Sequence, residues 1–204
     1  MENLVSKEYK EMLQKKHAKT NSQWGGAVRG HEDKIYKYMK LSKSKSILDY
    51  GCGKATAYKE NFKDIDPKKR IPNFTVPLHN WWGVYDLSLY DPGVPEHSTF
   101  PKKTADIVIC TDVLEHIPEE DLDWLIREIC SLANTTVFLN ISCQLAKKTF
   151  TSGKYKGENV HVSVFDHAWW VDKIKTIHED YKELKIYLTS TSKEGIMGTC
   201  IKGD

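Results

Sequence analysis

Short apolar segments alternate with longer amphipathic segments along most of this chain. Apolar runs of strand length occupy residues 46–50, 84–90, 105–110, 135–141, 184–189 and 196–201. Between them, apolar residues recur at helical spacing, most regularly over residues 118–133, which open with a proline and three acidic residues. Two further helices are predicted over residues 55–62 and 168–181, and an extended piece over residues 160–165. Strands that alternate with helices predict an α/β fold with a mainly parallel sheet.

The N-terminal part of the chain has a different pattern. Residues 3–17 and residues 32–41 each carry apolar side chains at helical spacing, and a polar, glycine-containing segment separates them. We therefore expect an N-terminal helical cap over residues 1–45 and one compact unit over residues 46–204. The length of 204 residues agrees with one domain that carries a short extension.

Composition narrows the classes of function. Hydrophobic residues make up 40% of the chain, the net charge is +2, and the mean hydropathy is −0.54. Such a balanced charge gives no indication of a nucleic-acid or membrane partner, and no apolar run has the length of a transmembrane helix or signal peptide. Five scattered cysteines without zinc-site spacing predict reduced thiols, a cytoplasmic protein and no metal site. The pattern indicates no particular oligomeric state.

A glycine turn directly follows the first apolar run. Residues 46–50 end in an acid and a tyrosine, and Gly51 and Gly53 come next. Glycines between a strand and a helix let the backbone approach a ligand closely. The dinucleotide-binding fingerprint fails because Thr56 stands at its last position, and no phosphate-loop sequence is present. The carboxylate of Asp49 favours a ligand with an ammonium group and would repel a pyrophosphate.

Two segments of the chain carry a family resemblance. They are residues 47–55 (ILDYGCGKA) and residues 105–117 (ADIVICTDVLEHI), in matching order and strand context. Together they resemble the first motif and the fourth-strand segment of class I S-adenosylmethionine-dependent methyltransferases. Residues 158–161 and the Trp169-Trp170 pair are similar to methyltransferase-domain proteins of phages and bacteria. The resemblance implies a Rossmann-like sheet with helices on both faces, an antiparallel C-terminal edge strand and S-adenosylmethionine as cofactor.

The resemblance also implies a set of cofactor-binding residues near the ends of the strands. They are Asp49, Gly51, Gly53, Asp91, Thr111 and Asp112. The first three are expected to hold the methionine part of the cofactor. Asp91 is expected to bind the ribose hydroxyls, with Asp86 as the alternative. Thr111 and Asp112, which follow the predicted strand over residues 105–110, are expected to line the cofactor. The family's third loop glycine is replaced here by Ala55.

Two histidines are the candidate catalytic residues. His116 follows the 105–110 strand and His161 lies in a later loop, and an imidazole suits proton removal near neutral pH. Two alternatives remain: His116 packs as a structural residue, or alignment of the acceptor with the sulfonium suffices without a base. Cys143 is a further conceivable nucleophile, but no neighbour in the sequence marks its thiol as activated.

The expected activity is transfer of a methyl group to an oxygen, nitrogen or sulfur atom of a small-molecule acceptor. The proline-containing insertion at residues 63–83 and the 143–170 region are expected to supply the substrate pocket. Two alternatives stay open. One is an RNA or protein methyltransferase that uses residues 63–70 as a basic contact patch, and the other is a non-catalytic cofactor-binding module. One tryptophan of each pair, Trp81-Trp82 and Trp169-Trp170, is expected to pack in the core.

Overall fold

The computed structural model of the protein describes residues 14, 26–59, 77–151 and 155–203. Apart from residue 14, the predicted helix over residues 3–17 lies outside these residues, as does most of the 63–83 insertion. The chain divides into two compact units, Met1–Phe100 and Pro101–Asp204, which we name the first unit and the second unit.

The first unit contains a helix and two parallel strands that hold the glycine turn. Helix α1 spans Glu32–Ser42, as predicted, and buries Ile35 and Met39. The structure also describes, in this unit, strand β1 at Ser46–Tyr50, the short helix α2 at Leu78–Trp81 and strand β2 at Asp86–Tyr90. The two strands pair in parallel, with Tyr50 opposite Tyr90, so both carboxyl ends lie at the same edge.

The helix predicted over residues 55–62 is wrong for the part that the structure describes. Thr56–Tyr58 form only a single 3-10 turn, and Lys59 after it is already extended, with φ −85° and ψ 158°. The turn begins at Ala55, which has a left-handed backbone with φ 51° and makes no side-chain capping hydrogen bond. A start of this kind does not provide the capping that stabilises the first turn of an α-helix.

The described residues of the second unit form four strands and two α-helices. They are β3 at Ala105–Thr111, α3 at Glu119–Ser131, β4 at Ala133–Ser142, α4 at His167–His178, β5 at Lys185–Ser192 and β6 at Gly195–Ile201. Strands β3, β4 and β5 run parallel, and β6 pairs antiparallel with β5. Within the second unit the strand order is β3-β4-β5-β6. The predicted mainly parallel sheet with an antiparallel C-terminal edge strand is therefore confirmed.

Several predicted boundaries in the second unit are wrong: the helix predicted over residues 168–181 ends at His178, and α3 gives way to β4 earlier than expected. The helical periodicity includes Ala133 and makes Asn134 the stop, but α3 ends at Ser131 and β4 begins at Ala133. The carbonyl of Leu132 accepts a hydrogen bond of 2.9 Å from the N–H of Ala105, the first residue of β3. This bond joins the chain to the sheet one residue after the helix, so the pairing with β3 overrides the helical pattern.

Each tryptophan pair buries one ring. Trp82 is 3% exposed and Trp170 is fully buried, whereas Trp81 and Trp169 are half-buried. The expectation that one tryptophan of each pair packs in the core is therefore confirmed. Trp169 stacks on Phe165 with the ring centroids 3.8 Å apart.

Two properties bear on the environment of the chain. All five cysteines lie among the described residues and are free thiols: Cys52, Cys110, Cys130, Cys143 and Cys200. Within the described part of the chain, no helix combines the length and the apolar character that crossing a membrane requires.

Candidate functional site

The glycine turn after β1 is bound to the end of β2. Gly51 and Gly53 have positive φ angles of 82° and 54°, which residues with a Cβ rarely adopt. The backbone N–H groups of Gly51 and Cys52 both donate to the carbonyl of Tyr90, at 2.7 and 3.1 Å. The two glycines therefore allow the chain to reverse sharply while its amides stay hydrogen-bonded to the neighbouring strand.

Asp91 follows β2 and also binds the glycine turn. Its Oδ2 accepts a hydrogen bond from the N–H of Gly53, and its Oδ1 accepts one from the N–H of Gly93, each at 2.8 Å. The side chain is 7% exposed. Asp86, the alternative in the sequence prediction, is exposed and begins β2 at its amino end. Of the two acids, Asp91 is thus the one at the carboxyl ends of the strands.

Asp49 is buried beside a tyrosine. Its side chain is 3% exposed, and the hydroxyl of Tyr58 donates to its Oδ2 at 2.8 Å. Burial raises the pKa of Asp49 to about 7; the hydrogen bond from Tyr58 lowers it, and the charge of Asp91 raises it further. A cation beside Asp49 would stabilise the ionised carboxylate. The sequence did not indicate Tyr58, because it lies in no motif and contacts Asp49 only through the fold.

Polar side chains in the second unit form a chain of hydrogen bonds across three strands. Thr111, Asn140 and Thr189 lie opposite one another on β3, β4 and β5. The Thr189 hydroxyl donates to Oδ1 of Asn140 at 2.8 Å, and Nδ2 of Asn140 donates to Oδ1 of Asp112 at 2.6 Å. Thr111 is the buried last residue of β3, so the prediction that it follows the strand is wrong by one position.

Asp112 begins the loop after β3 in a left-handed conformation. Its φ is 54°, which aspartate tolerates better than most residues, and its side chain is exposed. Its N–H donates to the carbonyl of Asn140 at 3.0 Å, so backbone and side chain are both bound to the same residue of β4. The only sequence signal for Asn140 was an amide between the apolar residues Leu139 and Ile141.

Glu115 is fully buried, although it is an acid. Its Oε1 accepts a hydrogen bond of 3.1 Å from the N–H of Ser142, and among the described residues its buried Oε2 has no hydrogen-bond partner. Burial raises the pKa of Glu115 to about 8 and the negative charge of Asp112 adds to this, while hydrogen bonds from backbone N–H groups lower it. The sequence assigned no role to this residue.

The two candidate catalytic histidines meet edge to face. The ring centroids of His116 and His161 are 4.8 Å apart, and the ring planes are inclined at 80°. Nδ1 of His116 is 2.7 Å from the carbonyl of Val160, and Nδ1 of His161 is 2.6 Å from the carbonyl of Gln144. A carbonyl can only accept, so each Nδ1 carries a proton and donates. In the neutral rings the lone pair is therefore on Nε2.

Asn159 fixes the loop that carries His161. Its Oδ1 accepts hydrogen bonds from the N–H groups of Ala146 and His161, at 3.0 and 2.9 Å. Its Nδ2 donates to the carbonyl of Ala146 at 2.9 Å. One amide side chain thus joins the segment after β4 to the segment that presents the histidine.

The next residues of this loop are bound to the segment that carries Glu115. The N–H groups of Val162 and Ser163 donate to the carbonyl of Glu115, at 2.8 and 3.0 Å, and the Ser163 hydroxyl donates to the carbonyl of Ile117. Residues 160–165 were predicted to be extended and form no strand. The N–H groups of Val162 and Ser163 bind the 3-10 turn at Leu114–His116 instead of a neighbouring strand, and this places His161 beside His116.

Cys143 has the properties of an unreactive thiol. Burial raises its pKa above the usual value, the nearby acids Glu115 and Asp166 raise it too, and only a hydrogen bond with Ser190 opposes this. A thiol with a raised pKa is largely protonated at neutral pH and is a weak nucleophile. Among the described residues nothing activates the thiol of Cys143, and the sequence indicated no activation either.

The predicted site residues other than Thr111 fall into two groups, one in each unit, and the second group also includes Glu115. We name those of the first unit the turn cluster: they are Asp49, Gly51, Gly53 and Asp91. The cluster also includes Tyr58, which donates to Asp49. We name the group Asp112, Glu115, His116 and His161 of the second unit the histidine cluster. The turn cluster offers carboxylates and a tightly turned backbone to a cationic ligand. The histidine cluster offers imidazole nitrogens and a buried acid, which suit proton transfer or the binding of a cation.

Comparison with known proteins adds a family match. A family model described as a methyltransferase domain matches residues 28–174, well over half of the chain. The matched region includes both clusters. No curated protein and no solved structure matches the chain significantly.

Proposed function

This chain belongs to the methyltransferase-domain family and is an S-adenosylmethionine-dependent methyltransferase, and from this premise we propose that it methylates an oxygen, nitrogen or sulfur atom of a small-molecule acceptor. The cofactor supplies an electrophilic methyl group on a sulfonium. The chain's own residues hold the two reactants and accept the proton that the acceptor loses.

The turn cluster supports a role in cofactor binding. In this proposal the carboxylate of Asp49 binds the ammonium group of the methionine part, and Gly51 and Gly53 leave room for close approach of the ligand. Asp91 binds the ribose hydroxyls. Each of its oxygens accepts one backbone N–H, and a carboxylate oxygen has a second lone pair for a hydroxyl donor. Thr111 and Asp112 line the cofactor from the end of β3.

The observation that carries the acceptor proposal is the pair of imidazoles whose Nδ1 protons are held by carbonyl groups. This arrangement presents Nε2 as a proton acceptor near neutral pH. In the reaction, a lone pair of the acceptor forms a bond to the methyl carbon while the carbon–sulfur bond breaks. The electron pair of that bond stays on sulfur, which leaves S-adenosylhomocysteine, and the acceptor's proton moves to a histidine Nε2 and then to water.

Charge supports a small molecule over a nucleic acid. The net charge of the chain is +2, and proteins that hold a phosphate backbone present clusters of Lys and Arg that make binding strongly salt-dependent. The one basic run of the sequence, residues 68–70, lies outside the described residues. The free thiols support the expected cytoplasmic location of the reaction.

The test is an acceptor screen with the purified chain and S-adenosylmethionine. Small alcohols, phenols, amines and thiols are assayed one by one, and total RNA and a protein extract are assayed in separate reactions. S-adenosylhomocysteine release and the mass of the methylated product are both measured. We expect product only with small molecules, and the His161→Ala variant is the matched control for enzyme-dependent transfer.

Other results of the screen identify the alternatives. Product in the RNA reaction alone, with binding that weakens steeply as salt is raised, would replace the small-molecule acceptor by RNA. Product in the protein reaction alone would identify a protein methyltransferase. Cofactor binding by calorimetry without product in any reaction would identify a non-catalytic module.

A further inference from the structure

Three side chains of the histidine cluster form the donor set of a metal site. One ligand-type atom from each of Glu115, His116 and His161 lies within 4.8 Å of the other two. Glu115 is fully buried, and its Oε2 has no hydrogen-bond partner among the described residues. A buried carboxylate oxygen without a partner is unfavourable unless a cation or a donor compensates it. We propose that Glu115, His116 and His161 bind a divalent transition-metal ion.

The hydrogen bonds around the two rings are those that metal-binding histidines require. Such a histidine donates the N–H of one ring nitrogen to a carbonyl or carboxylate, which orients the ring and leaves the other nitrogen for the metal. Here the carbonyls of Val160 and Gln144 bind the two Nδ1 atoms, at 2.7 and 2.6 Å. Asn159 in turn fixes the backbone of His161. Both imidazoles are therefore held with the lone pair on Nε2 before any ion arrives.

The donor types select the class of ion. Two imidazoles and one carboxylate suit borderline ions such as Zn²⁺ and Fe²⁺, and the harder ion Mn²⁺ also accepts mixed nitrogen and oxygen ligands, whereas Mg²⁺ and Ca²⁺ prefer oxygen ligands and Cu⁺ prefers sulfur. The negative charge of Asp112 acts on both Glu115 and His161 and further favours a cation. Tetrahedral ligands about 2.1 Å from an ion lie about 3.4 Å from one another, so binding requires only a small contraction of the cluster.

A bound ion would change how the acceptor loses its proton, and this part of the inference rests on the proposed function. Three protein ligands leave a coordination position for an oxygen ligand, and a metal-bound hydroxyl loses its proton at a lower pH. The acceptor would then be a compound with a hydroxyl group that coordinates the ion. The bound imidazoles no longer have a lone pair, so the metal takes the place of a histidine base.

The test measures metal binding without cofactor or acceptor. The full chain, carrying no histidine tag, is treated with a chelator, dialysed and titrated with ZnCl₂, MnCl₂ and MgCl₂ by calorimetry at pH 7.5. We expect saturable binding of one Zn²⁺ or Mn²⁺ per chain and much weaker binding of Mg²⁺. No saturable binding of Zn²⁺ or Mn²⁺ by the intact chain would overturn the proposal.

Variants locate the bound ion. His161→Ala and Glu115→Gln should each lower the affinity by at least about 10–100-fold, the loss seen even when only a partner of a ligand is removed. Glu115→Gln keeps the size of the buried side chain and the oxygen that accepts the Ser142 N–H, so it preserves the fold. His167→Ala is the control, because both nitrogens of that ring bind hydroxyl groups of Ser190 and Thr199.

The outcomes separate the metal site from the proposed acceptor. Equal affinity of the intact chain and the two cluster variants would place the ion elsewhere and overturn the site. Tight, variant-sensitive binding without turnover in the acceptor screen would support the site and count only against the proposed function. Turnover that a chelator abolishes and Zn²⁺ or Mn²⁺ restores would support both, whereas turnover unaffected by chelator would assign the histidines as bases and overturn the metal's role.

Discussion

The turn cluster of the first unit and the histidine cluster of the second unit satisfy their polar groups in different ways. In the turn cluster, Asp91 accepts two backbone hydrogen bonds and Asp49 accepts one from Tyr58. In the histidine cluster, Glu115 keeps a buried oxygen that no described residue binds, and two imidazoles lie edge to face beside it. The polar side chains of the first cluster are thus held by hydrogen bonds, whereas the second cluster retains the capacity to take up a proton or a cation.

The two clusters also differ in what holds the member that is most distant along the chain. Most of the turn cluster comes from one strand and the turn that follows it, and β2 adds Asp91 through parallel pairing. The histidine cluster needs a distant loop, which is held in place by hydrogen bonds to Oδ1 of Asn159 and to the carbonyl of Glu115. Strand pairing thus completes the first cluster, and loop hydrogen bonds complete the second. The following substitutions separate binding from chemistry.

The largest effect is expected from the histidines. His116→Ala and His161→Ala should each lower turnover about 10²–10⁴-fold, the usual loss when a proton-transfer group is removed, while affinity for S-adenosylhomocysteine stays nearly unchanged. Turnover is measured on an acceptor from the screen, and affinity by calorimetry. Full turnover in both variants would mean that alignment alone carries the reaction. If His116→Ala lowers the melting temperature sharply instead, its role is structural.

The next effect concerns the cofactor. Asp49→Asn should weaken binding of S-adenosylmethionine and S-adenosylhomocysteine by about 1.5–3 kcal/mol, because a hydrogen bond to a charged group is lost. Calorimetry at pH 8, where the wild-type carboxyl is mostly ionised, measures this directly. Asp86→Asn is the matched control, since Asp86 is exposed at the other end of β2. Absence of cofactor binding by the intact chain would contradict the assignment of the whole turn cluster.

Asp91 is expected to affect both binding and stability. In Asp91→Asn an NH₂ group replaces one of the oxygens that now face the N–H groups of Gly53 and Gly93. The loss of one buried acceptor should lower the free energy of unfolding by about 1–3 kcal/mol, and adenosine binding should weaken as well. Asp86→Asn should change stability by less than about 0.5 kcal/mol. Denaturant unfolding of both variants is the measurement, and a larger effect at Asp86 would contradict the geometry.

The smallest effect is a dependence of cofactor affinity on pH. Because burial raises the pKa of Asp49 to about 7, the carboxylate that binds an ammonium group becomes ionised only as the pH rises through neutrality. Affinity for S-adenosylmethionine should therefore increase about tenfold between pH 6 and pH 8. Asp49→Asn should abolish this dependence, and Tyr58→Phe should move its midpoint to higher pH, since the Tyr58 hydrogen bond lowers the pKa.

The contribution of Asp49 to the free energy of unfolding should fall as the pH rises, whereas the affinity for S-adenosylmethionine should rise. This opposite dependence provides an internal check. The folded-state pKa of Asp49 lies above its unfolded value of 3.8, so the folded chain holds the proton more tightly. The contribution of this group to the free energy of unfolding is complete below that value and is lost as the pH rises towards 7. In denaturant unfolding, Asp49→Asn should thus gain stability relative to wild type as the pH rises. A constant difference between the two proteins would contradict the raised pKa.

The sequence by itself determined the elements whose pattern is local. Within the described residues, apolar runs predicted the six strands, and helical spacing predicted α1, α3 and α4. The errors lie at the ends of these elements, at residues 55–62 and at the short helix α2, which the sequence did not predict. Gly51 and Gly53 were identifiable because a turn that follows a strand so tightly requires positive φ angles. Such features depend on neighbours within a few positions, and periodicity and residue type report them directly.

Only the tertiary structure decided which distant polar groups meet. The sequence named His116 and His161 separately and predicted no metal site, and it did not indicate the contacts of Glu115, Asn159 or Tyr58. These contacts arise where loops are bound by backbone carbonyls and side-chain amides, and such hydrogen bonds have no periodic signature in the sequence. The histidine cluster exists because backbone groups around residues 115–117 hold a loop that the chain reaches more than forty positions later.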